Sequence, residues 1–391
     1  MRIFCYTKEF PPEEGGLETY AFQVVQHLQQ FGHEVLVAVR HMEGDAEYDR
    51  QASLRIERLK AYFKPTALYR AYSYWTVPRL IQKHRADVAF LPYWFRFSSV
   101  IPWFARYRKL PYFVTCHGEE VAFPPGQLSH TRKRMLNGLQ GALRVYTNST
   151  HTRELCLGHG LAPDRVEVMG GGVVPTDFKV DASRVEALRD RLGVRGKIVL
   201  LTVAHLREKK GHDYVLQAMA RSGRDDVHYV LVGRGDHEAA LRQQAKDLGL
   251  ADRVHFQGFV PDDELPLYYH LADLFVLTTR DTDGSNRTEG LGLVYLEANV
   301  CGTPVLAGDV GGVREAVEDG VNGLLVDSSH IEAIAKGLSR LLEDPALRER
   351  LGEQGRRRIF EGGFTWEAVA RRYEQSMLAA LESRSASAAV S

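Results

Sequence analysis

The sequence predicts an α/β protein made of two Rossmann-like halves, each a parallel sheet covered by helices. Three observations carry this. Short apolar, β-branched runs alternate with helix-period segments along nearly the whole chain. The alternation restarts after the stretch Gly170-Gly171-Gly172-Val173-Val174-Pro175, which reads as a hinge. At 391 residues the chain is also longer than one ordinary core allows. The first domain is accordingly residues 1–175 and the second 176–363.

In the first half, Ile3 to Tyr6 reads as a buried strand, and the loop from Glu9 to Gly16 leads into a helical pattern through Tyr20, Val24, Val25 and Leu28. Gly15-Gly16 at this strand-to-helix turn allows backbone to approach a ligand closely, or is simply a tight turn. No dinucleotide fingerprint is present there. Further strands are expected at Glu34 to Val39, Asp87 to Leu91, Tyr112 to Cys116, Leu143 to Thr147 and Arg165 to Met169. Ligands in such sheets bind beyond the carboxyl ends of the strands. His117 and Asn148-Ser149-Thr150 stand at that edge, His117 as a candidate by position rather than by type.

Between residues 60 and 110 lies a basic, aromatic region that holds three of the four tryptophans, with cations from Lys60 and Lys64 to Arg108 and Lys109 among Tyr62, Phe63, Trp75, Trp94, Trp103 and Tyr107. This composition suits peripheral contact with an anionic membrane face, and it equally suits aromatic core beneath a solvated basic surface. No nucleic-acid module surrounds it, and 50 basic against 50 acidic residues gives no bulk charge that asks for nucleic acid. Cys5, Cys116, Cys156 and Cys301 form no CxxC pair, which argues against a zinc site and fits a reducing cytoplasm. There is no signal-peptide pattern or bilayer-spanning run, so the expected location is cytoplasmic, or the inner face of the cell membrane.

The second half predicts strands at Lys197 to Val203, Val227 to Val232, Arg253 to Phe256, Leu274 to Leu277, Val305 to Ala307 and Gly323 to Val326. Gly233-Arg234-Gly235 is half a nucleotide fingerprint and reads more simply as a turn. After the first of these strands comes a basic loop with Arg207, Lys209 and Lys210 before Gly211, placed to meet a diphosphate. Glu289-Gly290-Leu291-Gly292-Leu293-Val294-Tyr295-Leu296-Glu297 sets two carboxylates eight positions apart around a Gly-Leu-Gly opening. A helix beginning near Gly290 directs its unpaired N–H groups at an anion, with Glu289 at its mouth and Glu297 about 12 Å further along. One carboxylate then suits sugar hydroxyls and the other ribose hydroxyls. Asp281-Thr282-Asp283 has metal-compatible spacing but sits among Gly284, Ser285 and Asn286 and reads as a solvated loop, so no metal and no cofactor is expected. A final helix runs from Trp366 through Val369, Tyr373 and Met377 into a Ser/Ala-rich segment, 385–391, expected to be disordered.

The stretch from Glu289 to Glu297 has the EGLGLxxLEA form of an E-x7-E motif, and with Gly15-Gly16, His117-Gly118 and Lys210-Gly211 the chain resembles retaining glycosyltransferases of family 4 from end to end. In wording, Phe10-Pro11-Pro12 with Gly15-Gly16, and Glu289 to Ala298, are most similar to the phosphatidylinositol mannoside mannosyltransferases that use GDP-mannose. The resemblance implies the GT-B architecture: two Rossmann-like parallel-sheet domains facing across a cleft, with a C-terminal helix, about 364–384, crossing back onto the first. It further implies Lys210 on the donor diphosphate, Glu297 on the ribose, and Glu289 and His117 at the transferred sugar. The backbone around Gly258-Phe259-Val260 would meet the base, while the phosphates fall, by the helix opening near Gly290, to the backbone of Gly290, Leu291, Gly292, Leu293 and Val294. Front-face attack assisted by the leaving phosphate is what the family implies, without an enzymic nucleophile. His205 stands where the family usually has Arg, so Arg207 or Lys209 supplies that charge. The implied partners are a nucleotide diphosphate sugar and a glycan or lipid-linked acceptor. A UDP-hexose donor, a sugar-nucleotide epimerase and a non-catalytic nucleotide-sugar-binding protein are the alternatives.

Overall fold

The computed structural model describes residues 1–13, 15–60, 66–123, 129–282 and 289–390, with the side chains of 66 and 388–390 left aside. Asp283, Gly284, Ser285 and Asn286 of the acidic loop, and Tyr62, Phe63 and Lys64 of the basic region, lie outside the described residues. The chain divides into two compact units, one from Met1 to Gly171 together with the segment from Trp366 onward, the other from Gly172 to Thr365.

The first unit runs β1 (Arg2–Tyr6), α1 (Gly16–Gln30), β2 (Glu34–Arg40), α2 (Asp45–Gln51), β3 (Arg55–Leu59), α3 (Thr66–His84) and β4 (Val88–Leu91). It continues with α4 (Val100–Arg108), β5 (Tyr112–Cys116), α5 (His130–Gly141), β6 (Arg144–Thr147), α6 (Thr150–Gly158) and β7 (Val166–Val168). Its strands form one parallel sheet in the order β3-β2-β1-β4-β5-β6-β7, with Ile3 paired to Val35 on one side and Val88 on the other. The central strands are buried on both faces, which is why they read as continuous apolar runs. β3 escapes sequence reading because three of the five residues of this edge strand, Arg-Ile-Glu-Arg-Leu, are charged: Arg55 and Glu57 face solvent and Arg58 forks onto Asp49.

The second unit contains α7 (Ala182–Arg191), β8 (Ile198–Val203), α8 (His212–Arg221), β9 (Val227–Val232), α9 (Glu238–Asp247), β10 (Val254–Gly258), α10 (Leu265–Leu271) and β11 (Leu274–Leu277). Then follow α11 (Leu293–Val300), β12 (Val305–Gly308), α12 (Val313–Ala316), β13 (Gly323–Val326), α13 (Ile331–Glu343) and α14 (Pro345–Glu361). The sheet order is β10-β9-β8-β11-β12-β13, again parallel. In both sheets the strand order reverses beside the first strand, between β1 and β4 and between β8 and β11. Those two reversals are where ligands bind in open α/β sheets.

The last helix, α15 (Trp366–Val390), belongs to the first unit. Tyr373 is fully buried, its hydroxyl 3.0 Å from those of Tyr20 and Thr115, and Arg372 donates to the Met169 carbonyl at 2.7 Å. The helix continues through the segment from Ser385 that composition predicts to be irregular. Alanine carries no helix penalty, and the hydroxyls of Ser385 and Ser387 donate to carbonyls four residues earlier, at 3.0 Å each, in place of water. Among the described residues no helix is long and apolar enough to cross a membrane.

Candidate active site

In the second unit the loop after β8 is shaped by close packing. Gly211 has φ +77°, and a Cβ there would lie 2.2 Å from the Thr278 carbonyl oxygen, so only glycine admits this approach of α8 to β11. The turn places Lys210 against the second key loop: its Nζ donates to Glu289 Oε2 at 2.6 Å, with both side chains largely shielded from water. Such a short, charge-assisted contact fixes two long side chains in one geometry and leaves two ammonium protons for a ligand. Arg280, just after β11, holds the loop from beneath. It forks onto Asp213 at 2.7 and 2.8 Å, stacks over Tyr214 at 4.0 Å, and its backbone N–H donates to the Lys209 carbonyl at 2.8 Å. Arg207 is exposed and Lys209 half-buried at the same turn. His212 is buried between the His205 carbonyl at 3.2 Å and the Tyr229 hydroxyl at 3.4 Å, and burial pulls its pKa down to about 4, so the loop's positive charge comes from its lysines and arginine.

The stretch after Glu289 departs from the sequence reading. The helix begins at Leu293, not near Gly290, because Gly292 has φ +81° and breaks the helical path. Glu289 and Gly290 are therefore loop, anchored by the Glu289 carbonyl accepting from Gly312 N–H at 2.8 Å. A Cβ at Gly292 would strike the Tyr295 ring at 2.4 Å, while Leu291 is buried in the core and can offer a ligand only its backbone. Leu293 and Val294 are half-buried in the first turn. On α11, Glu297 Oε2 accepts from the Tyr269 hydroxyl at 2.6 Å. Burial lifts its pKa to about 7, the Tyr269 hydrogen bond pulling down and the Asp262 charge pushing up. Val260, two residues before Asp262, is buried just past β10.

The first unit brings a different set together. His117, directly after β5, holds its Nε2 2.8 Å from the Pro92 carbonyl. A carbonyl can only accept, so Nε2 carries the proton and Nδ1 is the unprotonated nitrogen. Burial pulls the His117 pKa down to about 4, which keeps the ring neutral near pH 7. The Tyr20 ring of α1 meets it edge-on at 4.7 Å. Glu120 caps the same loop, its Oε1 accepting from His117 N–H at 2.8 Å, and burial raises its pKa to about 7. Gly15 and Gly16 are exposed at the start of α1, and a Cβ on Gly15 would come within 2.4 Å of Glu18 Oε2. Among the described residues, Glu9, Glu13 and Glu18 bring carboxylate oxygens within 4.8 Å of one another. Lys8 lies 2.5 Å from Glu9 and Arg40 2.7 Å from Glu13, while burial beside Glu9 holds the Glu18 carboxyl well above the usual carboxylate range. The sequence shows these acids only as a charged loop. Asp213 with Arg280, and Tyr269 with Glu297, are likewise pairs without a local signature.

Two family models match in tandem: Glycosyltransferase Family 4 over residues 14–177 and Glycosyl transferases group 1 over residues 185–358. A GDP-mannose-dependent alpha-(1-6)-phosphatidylinositol monomannoside mannosyltransferase of Mycobacterium tuberculosis is 30% identical, covering 94% of this chain and 96% of its own. The chain belongs to glycosyltransferase family 4. It is a glycosyltransferase, and its two parallel-sheet units are those of the GT-B fold. A D-inositol 3-phosphate glycosyltransferase of Streptosporangium roseum is 31% identical, covering 92% of this chain and 87% of its own. Anabaena HepE in complex with UDP shares the fold at a TM-score of 0.83 and 23% identity, covering 97% of this chain and 100% of that one.

Proposed function

We propose that this family 4 glycosyltransferase transfers mannose from GDP-mannose to a hydroxyl of a glycan or lipid-linked acceptor, with retention of configuration and without a metal ion. The observation that carries the reading is the ion pair of Lys210 and Glu289 at the strand-order reversal of the second sheet, 2.6 Å between Nζ and Oε2. A diphosphate leaving a sugar gains negative charge at the bridging oxygen, and a lysine held in place stabilises it without reorganising at the moment of reaction. Glu289, fixed by that lysine, presents its remaining oxygen to the hydroxyls of the transferred sugar. Glu297, oriented by Tyr269, takes the ribose, with Val260 toward the base. Backbone at Gly290, Leu291, Gly292, Leu293 and Val294 meets the phosphates beside Arg207 and Lys209. His117 accepts from a sugar hydroxyl through Nδ1, and Gly15-Gly16 lets the donor approach the first unit's backbone. None of these groups is a nucleophile; the leaving phosphate takes the acceptor proton.

The mannose assignment is supported by the Mycobacterium tuberculosis relative and by a Corynebacterium glutamicum relative, 27% identical, both GDP-mannose-dependent mannosyltransferases. A UDP-hexose donor is the second reading, favoured by the UDP and UDP-glucose complexes of Anabaena HepE. Peripheral contact with an anionic membrane belongs to the proposal, and exposed Trp75, Trp103 and Tyr107 beside Arg79, Arg106 and Lys109 support it. The deciding experiment is a panel of GDP- and UDP-sugars read by thermal shift and by donor hydrolysis, with EDTA present in a parallel series and the product anomer read by NMR. Turnover of GDP-mannose with EDTA and a retained anomer is expected. Turnover of UDP-hexoses alone, an inverted anomer or loss of activity in EDTA would each overturn the corresponding part.

A further inference from the structure

At the opposite edge of the first sheet, where β5, β6 and β7 begin, the first unit holds a cavity of about 670 Å³. Its floor is Pro111, Leu143 and Arg165, each immediately before a strand, so it opens away from the edge that carries His117. Five cations line it, Arg106, Lys109, Arg134, Arg165 and Arg384, and no carboxylate does. In a chain whose basic and acidic residues balance at 50 each, that local excess is a built feature. Among the described residues none of the five is in an ion pair. Two are pre-positioned: Arg165 donates to the Ala142 carbonyl and Arg384 to the Lys109 carbonyl. Each guanidinium so anchored keeps further N–H groups for a bidentate acceptor. Lys109 itself adopts a left-handed backbone, φ +54°, which ends α4 and turns its carbonyl to Arg384. One wall is an aromatic ladder in which the Tyr74 and Trp103 rings are 5.0 Å apart and the Trp103 and Tyr107 rings 5.4 Å apart. Trp103 and Tyr107 remain 43% and 70% exposed, an amphipathic rim beside the cationic lining.

We propose that this amino-edge cavity binds a phosphate-bearing group, held by the arginine forks with Trp103 and Tyr107 over its apolar neighbour. A cavity of this size lined by five cations without a carboxylate, two of them anchored guanidiniums, matches the chemistry of a phosphate ester. That ester is either the headgroup of an anionic lipid or a free phosphate compound. The inference extends the membrane-contact part of the reading above, yet the two fail separately.

The test compares the full chain with an Arg134→Glu/Arg384→Glu variant, two cavity cations outside the proposed membrane face, and with a control of equal charge change, Lys336→Glu/Arg350→Glu, on exposed positions of α13 and α14. One arm measures co-sedimentation with phosphatidylglycerol/phosphatidylcholine vesicles against phosphatidylcholine alone; the other measures binding of inorganic phosphate by calorimetry. The cavity variant should bind about tenfold more weakly or worse in at least one arm while the control stays near wild type. Loss confined to vesicles identifies a lipid headgroup, and loss with inorganic phosphate a free phosphate compound. Equal behaviour of variant and control in both arms, or no binding in either, overturns the site; vesicle binding that both variants keep would leave membrane contact standing without it. Hydrolysis of the nucleotide-sugar donor, followed in parallel, should be unchanged in the cavity variant and reports that the fold is intact.

Discussion

At the strand-order reversal of the first sheet stand three converging carboxylates and a neutral imidazole; at that of the second stand a lysine–glutamate pair and a hydrogen-bonded glutamate. The two reversals share one topology, yet their side chains differ in kind. At the first, Glu18 holds its proton and His117 lacks a second one. At the second, Lys210 is paired with Glu289 and Arg280 buttresses its loop through Asp213, so under the proposed function the first would meet hydroxyls and the second the donor's charge. Topology places a site; the sign of the charge there decides which part of a charged donor it can hold.

Breaking the second site should cost the most. Glu289→Ala removes both the lysine's partner and the proposed sugar contact, and turnover should fall by about 10²- to 10³-fold while donor affinity is nearly kept. Steady-state kinetics beside donor calorimetry would check this, and near-normal kcat would sink the role. Lys210→Ala should weaken donor and free nucleoside diphosphate alike, by about 10- to 100-fold, and unchanged affinity for the diphosphate in calorimetry would count against it.

The first site offers a test by pH. Glu18 has a raised pKa in the folded chain, so the folded state binds its proton more tightly than the unfolded one does. Stability contributed by that group is therefore fully present below the ordinary carboxylate pKa and declines as pH rises toward and past neutrality. Glu18→Gln should flatten that decline: no change in Tm near pH 4, and at pH 8 a gain of about 2–4 °C for each 1 kcal/mol relieved. Equal Tm differences at both pH values would show that burial beside Glu9 and Glu13 does not hold the Glu18 carboxyl in its protonated form. The smallest expected effect sharpens the comparison within the second site. Tyr269→Phe removes the hydroxyl that favours ionised Glu297, so nucleoside diphosphate affinity should fall by about fivefold at pH 6 and less at pH 8. Identical affinities at both pH values would separate Glu297 from ribose binding.

How much of this is legible in the sequence follows from range. The inner strands of the second sheet are visible because each is a short, mostly apolar run buried on both faces, and the edge strands β10 and β13 keep enough apolar residues between turn signals to be read as well. The edge strand β3 is not, since its alternating charges look like a loop. Glu289, Glu297 and Lys210 stand out through motif resemblance, but the helix start between the glutamates depends on the backbone angle of Gly292, which composition does not reveal. Asp213 and Arg280 are 67 residues apart and meet only because α8 and the end of β11 share one sheet edge. The carboxylates Glu9, Glu13 and Glu18 look solvated when read in line. They converge because the turn into α1 at Gly15 leaves no side chain where Glu18 folds back.

The placement of α15 has a consequence for how the chain is made. The second unit is contiguous in sequence, and its last residue, Thr365, leaves the ribosome before Trp366. The first unit begins synthesis first yet is finished last, because Trp366, Val369, Tyr373 and Met377 are buried parts of its own core. At about 5–20 residues per second, residues 1–171 wait some ten seconds or more for the helix that completes them. During that interval the face of α1 that Tyr373 later covers is open, and the nascent chain is vulnerable there to chaperones, proteases and its neighbours on the polysome.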